Sequence, residues 1–289
     1  MRKSLGEKIF EFFNYSVLII LALTMILPLL QLLAVSFSSP IAADSKSVFL
    51  WPVDFTLDTW SHILKNSVLW RSFAVTLYIT VFGTFLSMLF TVMTAFPLSR
   101  KEFMLRKPIM FMIVITMIFN APMIPFFLTV RGLGIMDTTW ALIIPGLIST
   151  FNMVIVRTFF MGIPSELDDA AKIDGCHSFR LLFQIYLPLS KPVLATISLF
   201  YAVAYWNTFQ TAILFIRSPE LYPLQLRLRE YFQAPEEIAA VNLIMNELAF
   251  NTTTLKAATI IFATVPIVLV YPYLQKYFVK GAVLGSLKD

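Results

Sequence analysis

The chain has 289 residues, 58% hydrophobic and 13% charged, where a soluble domain is about 25% charged. This excludes a water-soluble globule, and the hydrophobicity excludes intrinsic disorder. The formal net charge of +5, from 22 bases and 17 acids, matters through its placement rather than its size.

A membrane-spanning helix needs about 20 apolar residues. Residues 1–14 read as a short amphipathic cytoplasmic lead. Runs free of Asp, Glu, Lys and Arg then follow at 12–43, 72–99, 108–130, 138–156, 192–216 and 257–275. The first contains a stretch, 15–37, too long for a signal-peptide core. It reads as an uncleaved span kinked at Pro28. In the third, Pro122 and Pro125 are expected to break the helix near its middle, and broken helices line cavities. Six runs of this length predict an all-α polytopic membrane protein with six transmembrane helices. The long continuous runs do not match a closed β-barrel, whose strands are about 10 residues of alternating polarity. The membrane domain is placed at 15–280 and a short tail at 281–289.

Six crossings put both termini on one side, and basic loops mark the cytoplasmic face. With the N-terminus inside, 14 of the 22 bases are cytoplasmic, including Arg100, Lys101, Arg106 and Lys107 in one short loop. The outer loops are then 38–71, 131–137 and 217–256. The last carries a helix start at Pro235-Glu236-Glu237, with acids near the positive helix end. The inner loop 162–191 is the most polar cytoplasmic stretch.

Several chemistries are missing. His62 and His177 fall on opposite faces, and no His/Cys cluster has metal-ligand spacing. There is no nucleophile elbow and no phosphate-binding loop. Cys176 is the single cysteine, so no intrachain disulfide forms. Asn251-Thr252-Thr253 matches a glycosylation triplet that is common by chance. The spans carry no ionisable group near their centres, where ion-coupled transporters place them. A transport protein of this kind has no energy source of its own and needs a partner that hydrolyses nucleotide.

The inner loop begins Pro164-Ser165-Glu166-Leu167-Asp168-Asp169. Ser165 suits an N-cap, and Asp168 suits the far side of a capping box. Glu166, Asp168 and Asp169 crowd the positive end of the helix dipole. Gly175 stands where a left-handed residue ends a helix. Ser178 can cap a second helix, 179–187, ended by Pro188 and Pro192. Ala170 and Ala171 let another surface approach closely.

The order Asp169-Ala170-Ala171, Gly175, Ile185, Leu187, Pro188 resembles the EAA loop of permease subunits of ATP-binding-cassette importers. Beyond the loop, Arg131-Gly132-Leu133-Gly134, Arg157-Thr158-Phe159-Phe160, Tyr205-Trp206-Asn207, Tyr222-Pro223-Leu224-Gln225 and Lys276-Tyr277-Phe278 are similar to maltose-type carbohydrate permeases. The outer and tail motifs are similar to a subgroup for oligosaccharides and polysaccharide fragments. The resemblance runs from about residue 70 onward. It departs at Asp169, where Glu is usual, at Cys176-His177, and at Asn120-Ala121-Pro122.

The resemblance implies the type I importer permease fold in a bacterial cell membrane. It implies a homologous second permease, two ATPase subunits and an extracellular or periplasmic solute-binding protein. Nucleic acid is not among the partners. ATP and Mg would sit on the ATPases, this chain carrying no cofactor and catalysing no bond change. Docking is expected through Glu166, Asp168, Asp169, Ala170, Ala171, Asp174, Gly175, Ile185, Leu187 and Pro188. Sugar hydroxyls suit uncharged polar side chains, and sugar C–H faces suit aromatic rings. The candidate path residues are therefore Trp206, Asn207 and Gln210, with Asn120, Asn152 and Gln225. Trp206 and Gln210, at i and i+4 in the fifth span, share a face. The alternatives are a permease for another solute, such as a peptide or polyol, or an integral membrane transferase.

Overall fold

A computed structural model of the chain describes residues 4–119, 121–233 and 251–286, whose regular elements are all helical. In chain order the principal helices are α1 (Leu5–Ser36), α2 (Ser67–Ser99), α3 (Arg106–Ile118), α4 (Met123–Gly132) and α5 (Thr150–Met161). They continue with α6 (Glu166–Ile173), α7 (Ser178–Leu189), α8 (Lys191–Trp206), α9 (Gln210–Phe215), α10 (Leu224–Gln233) and α11 (Thr252–Ser286). Among the described residues, α1, α2 and the first part of α11 are each long and apolar enough to cross a membrane. Three bent pairs reach that length together: α3 with α4, Trp140–Gly146 with α5 at 46°, and α7 with α8 at 86°. Among the described residues there are thus three unbroken candidate spans and three bent pairs, while the apolar run 192–216 falls on α8 and α9. The expected helix start at 235–240 lies outside the described residues.

Local chemistry sets these boundaries. Ser4 and Glu7 form a reciprocal capping box, so α1 starts at Leu5 and takes in most of the expected lead. It passes through Pro28 without ending. Between α3 and α4 the helix stops at Ile118 and restarts after Pro122, the N-cap of α4. Pro125 falls in the first turn, where its missing N–H costs little. Within α7, Leu182–Tyr186 widen to a π turn, with Leu187 N–H bonded to the Leu182 carbonyl. This widening precedes Pro188, which lacks an N–H and would crowd the carbonyl one turn back. So α7 begins at Ser178, one residue before its expected start, and runs past Pro188 to Leu189 instead of ending at Leu187.

The described residues divide into two compact units, those up to 70 with those of 228–266, and those of 71–227 with those from 267 on. In the first, Phe37 stacks on Phe55 and Trp60 with centroids 5.6 and 5.4 Å apart. Trp60 Nε1 donates to Ser36 Oγ at 3.2 Å. Asn251 donates through Nδ2 to the Pro40 carbonyl at 2.9 Å and accepts from Thr254 N–H at 2.8 Å. The Asn of the glycosylation triplet is thus a helix cap that ties 40 to 251.

In the second unit, α2 meets α8 along a seam of hydroxyls. Thr91 Oγ1 lies 2.7 Å from Tyr201 Oη, and Ser87 Oγ lies 2.9 Å from Tyr205 Oη. Tyr205 donates to the Ile143 carbonyl at 3.2 Å, and Ser149 N–H donates to Tyr201 at 2.9 Å. In an apolar medium each unmade bond is costly, so this pairing fixes helix register. Gly83 makes the approach possible: a Cβ there would stand 2.9 Å from two ring atoms of Tyr205. Overpacking a fixed ring costs about 1–3 kcal/mol. Gly83→Ala is therefore expected to lower the thermal stability of the detergent-purified protein. Gly132→Ala, where a Cβ meets nothing within 4 Å, is expected to leave it unchanged.

Candidate functional site

The 162–191 loop contains a helix with a strong stop. Gly175 is left-handed at φ +69°. Its N–H bonds the Lys172 carbonyl at 3.0 Å, and Cys176 N–H bonds the Ala171 carbonyl at 2.8 Å. These two bonds make a Schellman motif. The start differs from expectation. Ser165 occupies the N-cap position with helical backbone, and its hydroxyl makes no capping bond. The capping box does not form because Asp168 faces the other way.

Asp168 pairs with Arg100, which follows the last residue of α2. Tyr186 Oη donates to Asp168 Oδ1 at 3.0 Å and accepts from Arg100 Nη1 at 3.0 Å. The Arg100 guanidinium also lies 5.6 Å from the Phe96 ring centroid and 5.8 Å from that of Tyr186. Phe96, Phe160 and Tyr186 pack edge-to-face around it. Arg100 and Asp168 side chains are each only 14% exposed. Arg157 Nε donates to the Leu98 carbonyl at 2.9 Å, joining the end of α2 to α5. A second pair, Lys172 with Glu102 at 2.5 Å, lies in water at 50% and 64% exposure. The hydrogen bond from Lys172 holds Glu102 below its ordinary carboxylate pKa, and Glu102 raises Lys172 in return.

The two adjacent acids therefore divide. Asp168 turns inward, while the Asp169 side chain is 74% exposed. Ala170 is exposed as expected, but Ala171 is buried and packs inward. Glu166, Asp174, Gly175 and Pro188 are exposed, and Ile185 and Leu187 are half-buried. Ile173 is 87% exposed. It shares a face with Glu166 and Ala170 at i, i+4 and i+7. Arg100, Tyr186, Lys172 and Ile173 are absent from the sequence-derived candidates. For Ile173 a signal was available, an apolar residue in the last turn of an otherwise polar helix.

A cleft of about 1030 Å³ opens in the same unit between the α4–α5 region and α8. Its lining includes Phe126, Pro145, Ser149, Asn152, Tyr201, Tyr205, Thr208 and Thr211, and none of its lining residues is charged. Of the expected path residues, Asn152 lines it and is buried. Asn120 lies outside the described residues. Trp206 is buried edge-on to Phe73 at 6.0 Å, outside the cleft lining, and its Nε1 has no partner among the described residues. Asn207 is exposed and bonds back to the Val203 carbonyl at 2.9 Å. Helix α8 ends at Trp206, with Thr208 N–H bonded to the Tyr205 carbonyl at 3.1 Å, so Trp206 and Gln210 belong to different helices and the shared face is lost. Gln210 is exposed at the start of α9, and Gln225 is half-buried in the first turn of α10. Tyr201 and Tyr205 were readable as i and i+4 on one face of α8.

Asp137, left-handed at φ +57°, clasps the 217–218 turn. It accepts from Arg217 N–H and Ser218 N–H at 2.8 Å each and from the Ser218 hydroxyl at 2.6 Å. The hydroxyl and then the amides hold its pKa below the ordinary value.

The family described as binding-protein-dependent transport system inner membrane component matches residues 87–283. The polygalacturonan/rhamnogalacturonan transport system permease protein YtcP of Bacillus subtilis is 42% identical over 98% of this chain and 99% of its own. The arabinooligosaccharides transport system permease protein AraQ of Halalkalibacterium halodurans is 28% identical over 93% of each. A solved structure described as a bacterial ABC transporter involved in import of the acidic polysaccharide alginate superposes with TM-score 0.90. It is 35% identical and covers 96% of this chain and 99% of its own.

A carboxylate with a lowered pKa stabilises the fold above its unfolded value, and that stability is lost as pH falls through the lowered one. The Asp137 clasp is therefore fully present at neutral pH. Asp137→Ala is expected to speed hydrogen exchange at Arg217 and Ser218 at pH 7, with no comparable change in α2.

Proposed function

This chain belongs to the family of binding-protein-dependent transport system inner membrane components, and on that premise we propose that it forms half of the membrane path of an ATP-driven oligosaccharide importer. The observation that carries the coupling part is α6. It is a short helix closed at its end by a Schellman motif and built around the Asp169-Ala170-Ala171 signature. It presents Glu166, Asp169, Ala170 and Ile173 outward. An apolar knob ringed by acids suits a cleft of an ATPase with a basic rim. A homologous permease would enclose the path, two ATPases would bind and hydrolyse ATP with Mg, and a solute-binding protein would deliver the sugar. A polysaccharide fragment is supported by the likeness to YtcP, a polygalacturonan/rhamnogalacturonan transport permease, and to the alginate transporter.

The cleft lined by Asn152 is the proposed contact with substrate. Its aromatic rings suit sugar C–H faces, and its hydroxyl and amide groups suit sugar hydroxyls. With no charged lining residue, it reads the neutral parts of a saccharide. Carboxylates of an acidic sugar would be met elsewhere in the complex.

The test is ATP-dependent uptake in proteoliposomes holding the whole complex and its binding protein. Gly175 needs φ +69°, and a Cβ there meets nothing within 4 Å, so substitution acts through the backbone. Non-glycine residues other than Asn and Asp pay for that conformation. Gly175→Val is expected to abolish uptake and substrate-stimulated ATP hydrolysis, and Gly175→Asn to retain most of both. Wild-type behaviour of Gly175→Val would sink the coupling role of α6. Asn152→Ala is expected to lower uptake while leaving basal ATP hydrolysis intact.

A further inference from the structure

We infer that Arg100 and Tyr186 are positioning residues for coupling: they lock Asp168, and with it α6, to the end of α2, so that a push on α6 moves the membrane helices. The inference rests on the proposed docking of an ATPase at α6.

A free helix of eight residues is marginal in water. Two backbone connections alone leave such a segment free to roll about its own axis when pressed. Among the described residues, α6 is held from its own side chains in three ways. Ala171 is buried, Lys172 reaches Glu102, and Asp168 reaches Arg100 and Tyr186. The Lys172 tie is exposed to water, and exposed pairs hold little. The Asp168 tie is shielded, has two partners, and is flanked by the Phe96 and Tyr186 rings. Its far end is fixed too. Arg100 follows α2 directly, and Arg157 of α5 grips the Leu98 carbonyl in the last turn of α2. A force on α6 thus has a path of side-chain contacts into α2 and α5. The planar guanidinium serves Asp168, Tyr186 and two ring faces at once, a geometry that the compact Lys ammonium does not reproduce.

The experiment measures uptake and ATP hydrolysis on the same proteoliposomes of the complete importer, for Arg100→Lys, Asp168→Asn, their double variant and Tyr186→Phe. Co-purification of the ATPases checks assembly. The expected result for Arg100→Lys is a complex that still assembles and hydrolyses ATP, with sugar transported per ATP lower by about tenfold. The double variant is expected to lose no more than either single one, because both remove the same tie. Tyr186→Phe, which deletes one hydroxyl and keeps the ring, is expected to fall between. An unchanged transport-to-hydrolysis ratio in Arg100→Lys overturns the inference, whether both activities are normal or both fall together. If Arg100→Lys fails to assemble, an unchanged ratio in Tyr186→Phe overturns it. Separately, Ile173→Asp with undiminished ATPase binding would overturn the docking of α6 itself.

Discussion

The Arg100–Asp168 pair is a charge interaction largely withdrawn from water where α2, α6 and α7 converge. Burying two charges is costly, and only close pairing with further hydrogen bonds offsets it. Here Tyr186 supplies the further bonds, and the rings of Phe96 and Tyr186 supply cation–π attraction. Removing one partner of such a pair costs about 3–5 kcal/mol, because the other charge is stranded. A pair of this kind is a weak stabiliser and a strong specifier: it admits one placement of α6 and penalises others. The Schellman stop at Gly175 then fixes where the helix ends, and the inward Asp168 leaves Asp169 facing out.

The same logic governs the helices beyond the loop. Apolar side chains give little preference for one helix register over another in an apolar medium, so hydroxyl pairs set it. Thr91 with Tyr201 and Ser87 with Tyr205 align α2 with α8, and Gly83 lets the Tyr205 ring come close. Tyr201 and Tyr205 also line the uncharged cleft with Asn152. The seam and the cleft thus share two residues. The proposed path is held by the bonds that register its walls.

Much of the fold was legible because it depends on local chemistry. The uncharged runs mark the apolar helices, and Pro122 marks the break between α3 and α4. Gly175 was legible because a left-handed terminator is a backbone demand that few residues meet. The inward turn of Asp168 was not. Its partners Arg100 and Tyr186 belong to other elements, and a capping box with Ser165 is the nearer local use of the same carboxylate. The interruption after Trp206 was hidden for a related reason. Apolar composition continues to Ile216, while the backbone leaves the helix after Trp206, where Thr208 N–H bonds the Tyr205 carbonyl. Composition reports where the membrane lies. It does not report which polar atom takes which partner inside it.

The locking of α6 to α2 is tested most directly by a distance. Spin labels at Ser165, the N-cap of α6, and at Met93 on α2, both exposed, would report it in the assembled importer with Cys176→Ser as background. A locked α6 gives the same distance distribution in the nucleotide-free and ATP-bound states. A shift between the two states comparable with one helical turn, about 5 Å, would show that α6 moves independently of α2 and would contradict the lock.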